Sequence, residues 1–299
     1  MPGRLDATFL AHGGATAGKD AADGTQRACA AGQRAFQEGA SLLDAAVLAC
    51  RVLEDDGRFN AGRGSQLRLD GKTVEMDAAC MTSDGQFGAV ICVADVRNPI
   101  LAARAVHDTP HNALVGDGAT AFARSLGLAG REAPSEAAVR HALAARKALQ
   151  EHGHAQETGW RLDKILEHWN YQEPPPQELL GSDTVGVVAT DGRAFVAAAS
   201  TGGLSITLRG RASDVGMLGA GIYAGRHGAV ACTGRGEFLA RSLFSHRVYQ
   251  GLADGLDAGA AIERAMRVVP DKTAVGAIAV GTGSAAGADN CRMPWSRAG

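Results

Sequence analysis

Ser182-Asp183-Thr184-Val-Gly-Val-Val-Ala189-Thr190-Asp191-Gly192-Arg193-Ala194-Phe-Val-Ala-Ala-Ala199-Ser200-Thr201-Gly202-Gly203 is the stretch on which the fold turns. Two short apolar runs flank Asp191-Gly192, a dipeptide suited to a tight turn, so the segment reads as a β-hairpin. Upstream, about 170–181 is aperiodic and contains Pro174-Pro175-Pro176, which reads as an extended, exposed linker. Thr184 therefore stands where an exposed linker meets a buried strand. One reading is plain: a β-branched residue that begins a strand. The other is chemical. If the bond between Asp183 and Thr184 is cut, Thr184 carries a hydroxyl and a free α-amine. An α-amine with a pKa of ~8 is substantially neutral near neutral pH and serves as general base for its own hydroxyl.

Three further clusters extend the chemical reading. Ser200-Thr201-Gly202-Gly203 ends the second run and brings a hydroxyl back towards Thr184. Gly210-Arg211-Ala212-Ser213-Asp214 sets a cation and an anion three residues apart. Such a pair would clamp the α-carboxylate and α-amine of an amino acid, with bidentate binding by the Arg, or form an ion pair in a surface loop. Cys232-Thr233-Gly234-Arg235-Gly236 closes a strand at the start of a helix. A hydroxyl and backbone N–H groups there make an oxyanion hole, or an ordinary helix cap.

The rest of the chain reads as α+β layers with antiparallel sheets, because strands come in hairpins and helices in blocks. A strand at 7–11 stops at His12-Gly13-Gly14-Ala15, and two helices follow. Leu42, Leu43, Ala46, Val47, Cys50 and Leu53 recur at helical spacing and place one of these helices at about 41–54. Beyond the glycine-rich Phe59-Asn60-Ala61-Gly62-Arg63-Gly64 loop, strands are expected at 65–69, 73–80 and 88–94, with turns at Asp70-Gly71 and Asp84-Gly85. Helices are expected at 99–107, 117–126 and 135–150, then at about 236–251 and 257–268, with strands at 228–232 and 274–280.

Composition narrows the function classes. The 40 glycines among 299 residues are about 13%, nearly twice the usual ~7%, without a collagen period. Hydrophobic residues make up 45% and aromatics only 5%, so the core must be built from small aliphatic side chains with backbones close together. A formal net charge of −2 offers no general attraction for nucleic acid or an anionic membrane. Cys29, Cys50, Cys80, Cys92, Cys232 and Cys291 show no C-x-x-C spacing and mostly sit in apolar runs. They read as buried thiols of a reducing compartment, so a cytoplasmic location is expected. No leader pattern and no apolar stretch of ~18 residues is present. His152-Gly153-His154 has no third ligand at a usual spacing, so no catalytic metal is expected. Gly234-Arg235-Gly236 lacks the third glycine of a dinucleotide loop, and no phosphate-binding P-loop or G-x-S-x-G elbow occurs.

The residues of the first two paragraphs fit an N-terminal-nucleophile hydrolase. With His12-Gly13-Gly14-Ala15, Phe59-Asn60-Ala61-Gly62-Arg63-Gly64, Glu75-Met76-Asp77-Ala78, Val96-Arg97-Asn98-Pro99-Ile100 and Gly219-Ala220-Gly221, in this order, the chain resembles the plant-type asparaginases and isoaspartyl peptidases of that superfamily. The resemblance covers nearly the whole length. It implies a four-layer αββα sandwich, made as one domain and cut before Thr184 into an α chain (1–183) and a β chain (184–299). It implies a dimer of such αβ pairs, a small aspartyl amide or dipeptide as substrate, and no required cofactor. Residue by residue, Thr184 would be the nucleophile and Thr201 would tune it. Thr233 and the Gly234 N–H would hold the oxyanion. Arg211 would take the substrate α-carboxylate and Asp214 its α-amine, with Gly234, Gly236 and Asn60 also at the substrate. Backbone carbonyls of Leu53, Glu54, Asp56, Phe59, Ala61 and Arg63 match a loop that wraps a structural sodium. Hydrolysis would pass through an acyl-enzyme at a β-aspartyl amide.

The chain also departs from the family pattern. After Arg211 it has Ala212-Ser213-Asp214-Val215-Gly216 in place of V-G-D-S-P. Asp183 stands before the nucleophile, as in glycosylasparaginases, where isoaspartyl peptidases carry Gly. Leu204-Ser205-Ile206-Thr207 lacks the usual Asn-Lys pair, and Asp289-Asn290-Cys291-Arg292-Met293-Pro294 differs from the usual ending. A glycosylasparaginase-like or other amide substrate therefore stands as an alternative, and a non-processing binding homologue as another class.

Overall fold

The computed structural model describes residues 7–68, 70, 72–130, 167–168, 170, 184–204 and 207–299. The helix expected at 135–150, His152 and His154, most of the linker at 170–181, and Asp183 lie outside the described residues. In chain order the described elements begin with β1 (Thr8–His12), α1 (Ala22–Gln37), α2 (Leu42–Asp55), β2 (Met76–Thr82) and β3 (Phe87–Val93). Next come α3 (Pro99–His107), β4 (Ala113–Val115), α4 (Gly116–Ser125), β5 (Val185–Thr190) and β6 (Phe195–Thr201). The C-terminal part holds β7 (Ile222–Gly225), β8 (Gly228–Gly234), α5 (Gly236–Ser242), α6 (Phe244–Ala253) and α7 (Ala258–Met266). It ends with β9 (Val275–Gly281), β10 (Ser284–Asp289) and β11 (Trp295–Ala298).

The expected hairpin is the centre of the larger sheet, whose order is β11-β1-β5-β6-β2-β3-β4. Asp191 makes its turn, its Oδ1 accepting from the N–H groups of Arg193 and Ala194. The smaller sheet runs β10-β9-β8-β7. Apart from the parallel β3–β4 pair, all strand pairs are antiparallel.

Side chains alternate between two cores. Phe9, Ala11, Val187 and Ala198 face α1 to α4 with Phe36, Leu43, Leu53 and Ile100. Leu10, Val188, Ala197 and Ala199 face the second sheet with Ile222, Ile278 and Val280. On the far face of the small sheet, Val230 and Ala279 pack α6 and α7 through Phe244, Val248 and Ile262. These are the expected four layers, αββα, of the N-terminal-nucleophile hydrolase fold. Both faces of the central strands are covered, which explains their continuous apolar runs. Alanine there lets the two sheets approach.

Several local expectations change. Residues 65–68 form no strand. Arg68 instead donates its backbone N–H to the Thr73 carbonyl, and Asp70 closes an Asx turn by accepting from Lys72 and Thr73. The single helix expected over 236–251 is two, α5 and α6. They break at Leu243, held left-handed at φ 47°, while Ser242 Oγ bonds back to the Phe238 carbonyl. No Gly or Pro marks this break. Two edge strands go beyond the expectation: β10 forms a tight hairpin with β9, Ser284 opposite Gly281, while β11 arises from long-range pairing, running beside β1 with His12 opposite Trp295. Among the described residues no helix is long and apolar enough to cross a membrane. All six cysteines are free thiols, and all but Cys291 are buried.

At Gly186, strand β5 passes close to both β1 and β8. A Cβ there would lie 2.3 Å from His12 Nε2 and 2.9 Å from the Ala231 Cβ. His12 is wholly buried, and burial pushes its pKa down to about 3, so the ring is neutral. Gly186→Ala is expected to lower stability by about 1–3 kcal/mol through overpacking, read as a lower denaturant midpoint.

Candidate active site

The β5–β6 register sets the centre of the site. Val185 faces Ser200, so the next pair along the ladder is Thr184 and Thr201. Their hydroxyls lie 3.3 Å apart, with Thr184 Oγ1 donating to Thr201 Oγ1. Gly203 N–H donates to the same Thr201 oxygen at 3.0 Å. Both threonines are buried, Thr184 retaining 6% exposure.

The turn after β6 is held from behind. Arg68 is buried and donates through Nη1 to the carbonyls of Gly202 and Leu204 at 2.6 and 3.0 Å, and through Nη2 to that of Glu75. Asn60 donates its side-chain N–H to the Gly203 carbonyl at 2.6 Å and accepts the Gln66 N–H at 3.0 Å. Gly203 has φ +68°, and a Cβ there would sit 2.8 Å from Arg68 Nη2, so a side chain is excluded on both grounds. Asn60, expected at the substrate, thus lies one layer behind the cleft with its amide engaged by backbone.

A second wall carries the charges. Arg211 donates through Nε and Nη2 to Glu237 Oε1, at 2.9 and 2.8 Å. The ion pair of Arg211 is therefore with Glu237, where the sequence had offered Asp214 as its loop partner. Asp214 opens a short 3-10 turn, is buried, and has no hydrogen-bond partner at Oδ2 among the described residues. Burial pushes its pKa up to about 7 against the pull of Arg211, while Glu237 and Asp77 push it the same way as burial. Asp77 fixes this turn, accepting from the backbone N–H of Ser213 with one oxygen and of Cys92 with the other. A Cβ on Gly236 would lie 2.5 Å from Arg211 Nη2 and 2.8 Å from Asp214 Oδ1, so only glycine lets α5 start against both charges.

The third wall is the end of β8. Thr233 is wholly buried, and its Oγ1 accepts the Ala15 N–H at 3.1 Å. Accepting there leaves the hydroxyl proton of Thr233 to be donated elsewhere. Thr233 is not a helix cap: α5 begins after Arg235, which makes no side-chain cap bond.

One cleft gathers Thr184, Thr201, Arg211, Asp214, Gly234 and Gly236, with Gly203, Leu204 and Ser213 completing its wall. Thr233 stands beside it. Residues 6–297 match the family model described as Asparaginase. The chain belongs to the asparaginase family. The protein of Pyrococcus furiosus named plant-type L-asparaginase is 39% identical over 249 residues, spanning 82% of this chain and 78% of that protein. A Thermococcus kodakarensis protein of the same name is 38% identical over 269 residues, 87% of this chain and 84% of its own. The human isoaspartyl peptidase/L-asparaginase is 40% identical over 220 residues, 72% of this chain and 65% of that protein.

Sequence reasoning missed the residues of this asparaginase-family site that touch other residues of the site instead of lining the cleft. Glu237 follows the Gly234-Arg235-Gly236 string directly. Arg68 is a lone charge in Ser65-Gln66-Leu67-Arg68, and Asp77 a lone charge in a buried strand. A charge inside an apolar run is the signal that was available, since an unpaired one would be costly.

The buried Asp214 has a stability consequence. With its folded pKa raised, it favours folding below its ordinary pKa near 4, and that advantage is lost as pH rises towards about 7. Asp214→Asn removes the penalty at high pH. Relative to wild type, its denaturation free energy is expected to gain about 1–3 kcal/mol between pH 4 and pH 8. A difference independent of pH would show that Asp214 ionises normally.

Proposed function

We propose that the chain is an autoprocessing threonine amidohydrolase that cleaves β-aspartyl amides, namely isoaspartyl dipeptides and asparagine. The observation that carries this reading is the Thr184–Thr201 hydroxyl pair in the same cleft as Arg211 and Asp214. The names of the relatives point to the same substrates.

In this reading the bond between Asp183 and Thr184 is cut first. The α-amine of Thr184 then takes its hydroxyl proton, and Oγ1 attacks the side-chain carbonyl carbon of the aspartyl unit. Thr201 holds the nucleophile in line. The Thr233 hydroxyl and the Gly234 N–H receive the oxyanion, a preorganised arrangement that lowers the barrier without reorganisation. The Thr184 ammonium returns its proton to the leaving nitrogen as ammonia or an amino acid departs. Water, activated by the same amine, attacks the ester and releases aspartate. Arg211 and Asp214 fix the α-carboxylate and α-amine, and Gly234 and Gly236 let the backbone approach them. Asn60 acts through the Gly203 turn. Asp183 before the nucleophile favours a second reading, a glycosylasparaginase-like amide.

The reading extends to the surroundings of the site. Carbonyls of Leu53, Glu54, Asp56, Phe59, Ala61 and Arg63 would hold a structural sodium, a hard cation suited to oxygen donors. In support, the carbonyl oxygens of Glu54 and Phe59 crowd the Gly62–Gly64 turn, at 2.7 Å from a Cβ on Gly62 and 1.9 Å from one on Gly64. Such an ion would stiffen the loop that carries Asn60. No other cofactor enters the reaction. The chain would work in the cytoplasm, where its free thiols stay reduced, and as a dimer of αβ pairs. Exposed Met217, Leu218 and Leu243 give such a dimer an apolar surface to bury.

On a denaturing gel the purified protein is expected to run as two fragments, the smaller with Thr184 at its N-terminus. Thr184→Ala is expected to stay one chain and to lose activity. One uncut, inactive wild-type band would overturn the hydrolase in favour of a binding protein. Turnover of β-Asp-Leu and asparagine, but not of N-glycosylated asparagine, separates the two substrate readings.

Asp214 must be ionised and the Thr184 amine neutral for the free enzyme to work. From the pKa of about 7 for Asp214, kcat/KM is expected to fall as pH drops from 8 to 6. A flat profile over that range would contradict the assignment of both groups.

A further inference from the structure

The charges around Arg211 do not balance. Arg211 contributes one cation to the wall. Against it stand Glu237, paired through Oε1 alone, and the buried Asp214. Glu237 Oε2 and Asp214 Oδ2 are both buried without a hydrogen-bond partner among the described residues. Behind them Asp77 is a third buried acid, its two oxygens taken by the N–H groups of Ser213 and Cys92. The wall therefore has two unsatisfied carboxylate oxygens and a surplus of negative charge once Asp214 ionises. Glu237 also fixes how Arg211 is presented. Two N–H groups converge on one oxygen, which sets the guanidinium plane, and Gly236 leaves space for that plane beside α5.

We propose that Glu237 is a positioning residue for Arg211 that makes the anchor select a zwitterionic α-amino-acid end over a plain carboxylate. This rests on the roles given above to Arg211 and Asp214. A ligand with a carboxylate alone meets Arg211, but adds to the surplus negative charge. A ligand with an adjacent ammonium cancels it and supplies donors to the orphan oxygen of Asp214. A unit charge roughly 6 Å away, at a dielectric between those of protein and water, is worth about tenfold in affinity. Glu237 is thus a filter on ligand charge, acting through Arg211 and touching no reacting atom.

The test compares wild type with Glu237→Gln, which keeps an oxygen to accept from Arg211 and removes the charge. Binding of L-aspartate and of succinate, the same skeleton without the α-amine, is measured by calorimetry on the mature protein. Asparagine turnover is followed in parallel, and the two-fragment gel shows that the variant folds. The preference of wild type for aspartate over succinate is expected to fall about tenfold in Glu237→Gln, mainly because succinate binds more tightly. Glu237→Ala, which also frees Arg211, is expected to lose the preference and to weaken both ligands. An unchanged preference in Glu237→Gln, or equal weakening of both ligands, overturns the proposal, since a merely structural ion pair would act on both alike. A wild type that binds neither ligand overturns it too. If the preference shifts as expected while asparagine is not turned over, the hydrolase reading fails and the assignment of Glu237 stands.

Discussion

The antiparallel pairing of β5 with β6 is the constraint on which the site depends. The turn at Asp191-Gly192 sets the register, and the register puts Thr184 opposite Thr201. Side-chain period two makes this strict: a slip of one residue would turn the hydroxyl of the slipped strand to the opposite face and part the pair. Burial on both faces enforces the pairing. Helices α1 to α4 cover one side of β5 and β6, and the second sheet covers the other. Thr184 is placed by the core itself, directly before a strand buried on both faces.

The same packing explains why so much of the site is backbone. Two sheets and two helix layers meet at the ends of β5, β6 and β8, where a Cβ on Gly186, Gly234 or Gly236 would collide with a neighbour. Part of the high glycine count has its local cause in such contacts. What first suggests only close packing also gives a cleft whose wall is largely backbone, with few charged side chains.

Those few charges are placed by others behind them. Arg68 holds the turn after Thr201, Asp77 holds the turn that begins with Asp214, and Glu237 holds Arg211. Each is a buried or half-buried charge that would destabilise the fold if left alone. Each is partnered by backbone groups or by an opposite charge at the site, with Glu237 Oε2 left over among the described residues. Stability and preorganisation thus have a common cause, and Asp214, with an orphan oxygen and a raised pKa, carries the cost.

Local sequence by itself determined the hairpin, the helix spans such as α2, α3 and α7, the layered α+β class and the threonine just before the hairpin's first strand. These follow from turn chemistry and apolar period, which act over a few residues. The motifs also named Thr184, Thr201, Arg211, Asp214, Gly234 and Gly236 as one set, and the fold brings them into one cleft. Only the tertiary structure decided that Arg211 pairs with Glu237, that Asn60 stands behind the cleft, that Thr233 accepts from Ala15, and that 236–251 breaks into two helices. Edge strand β11, paired with β1 from the other end of the chain, belongs to the same group. Its partner lies far away in the chain, and no local pattern records which distant backbone or carboxylate a residue will meet once the layers close.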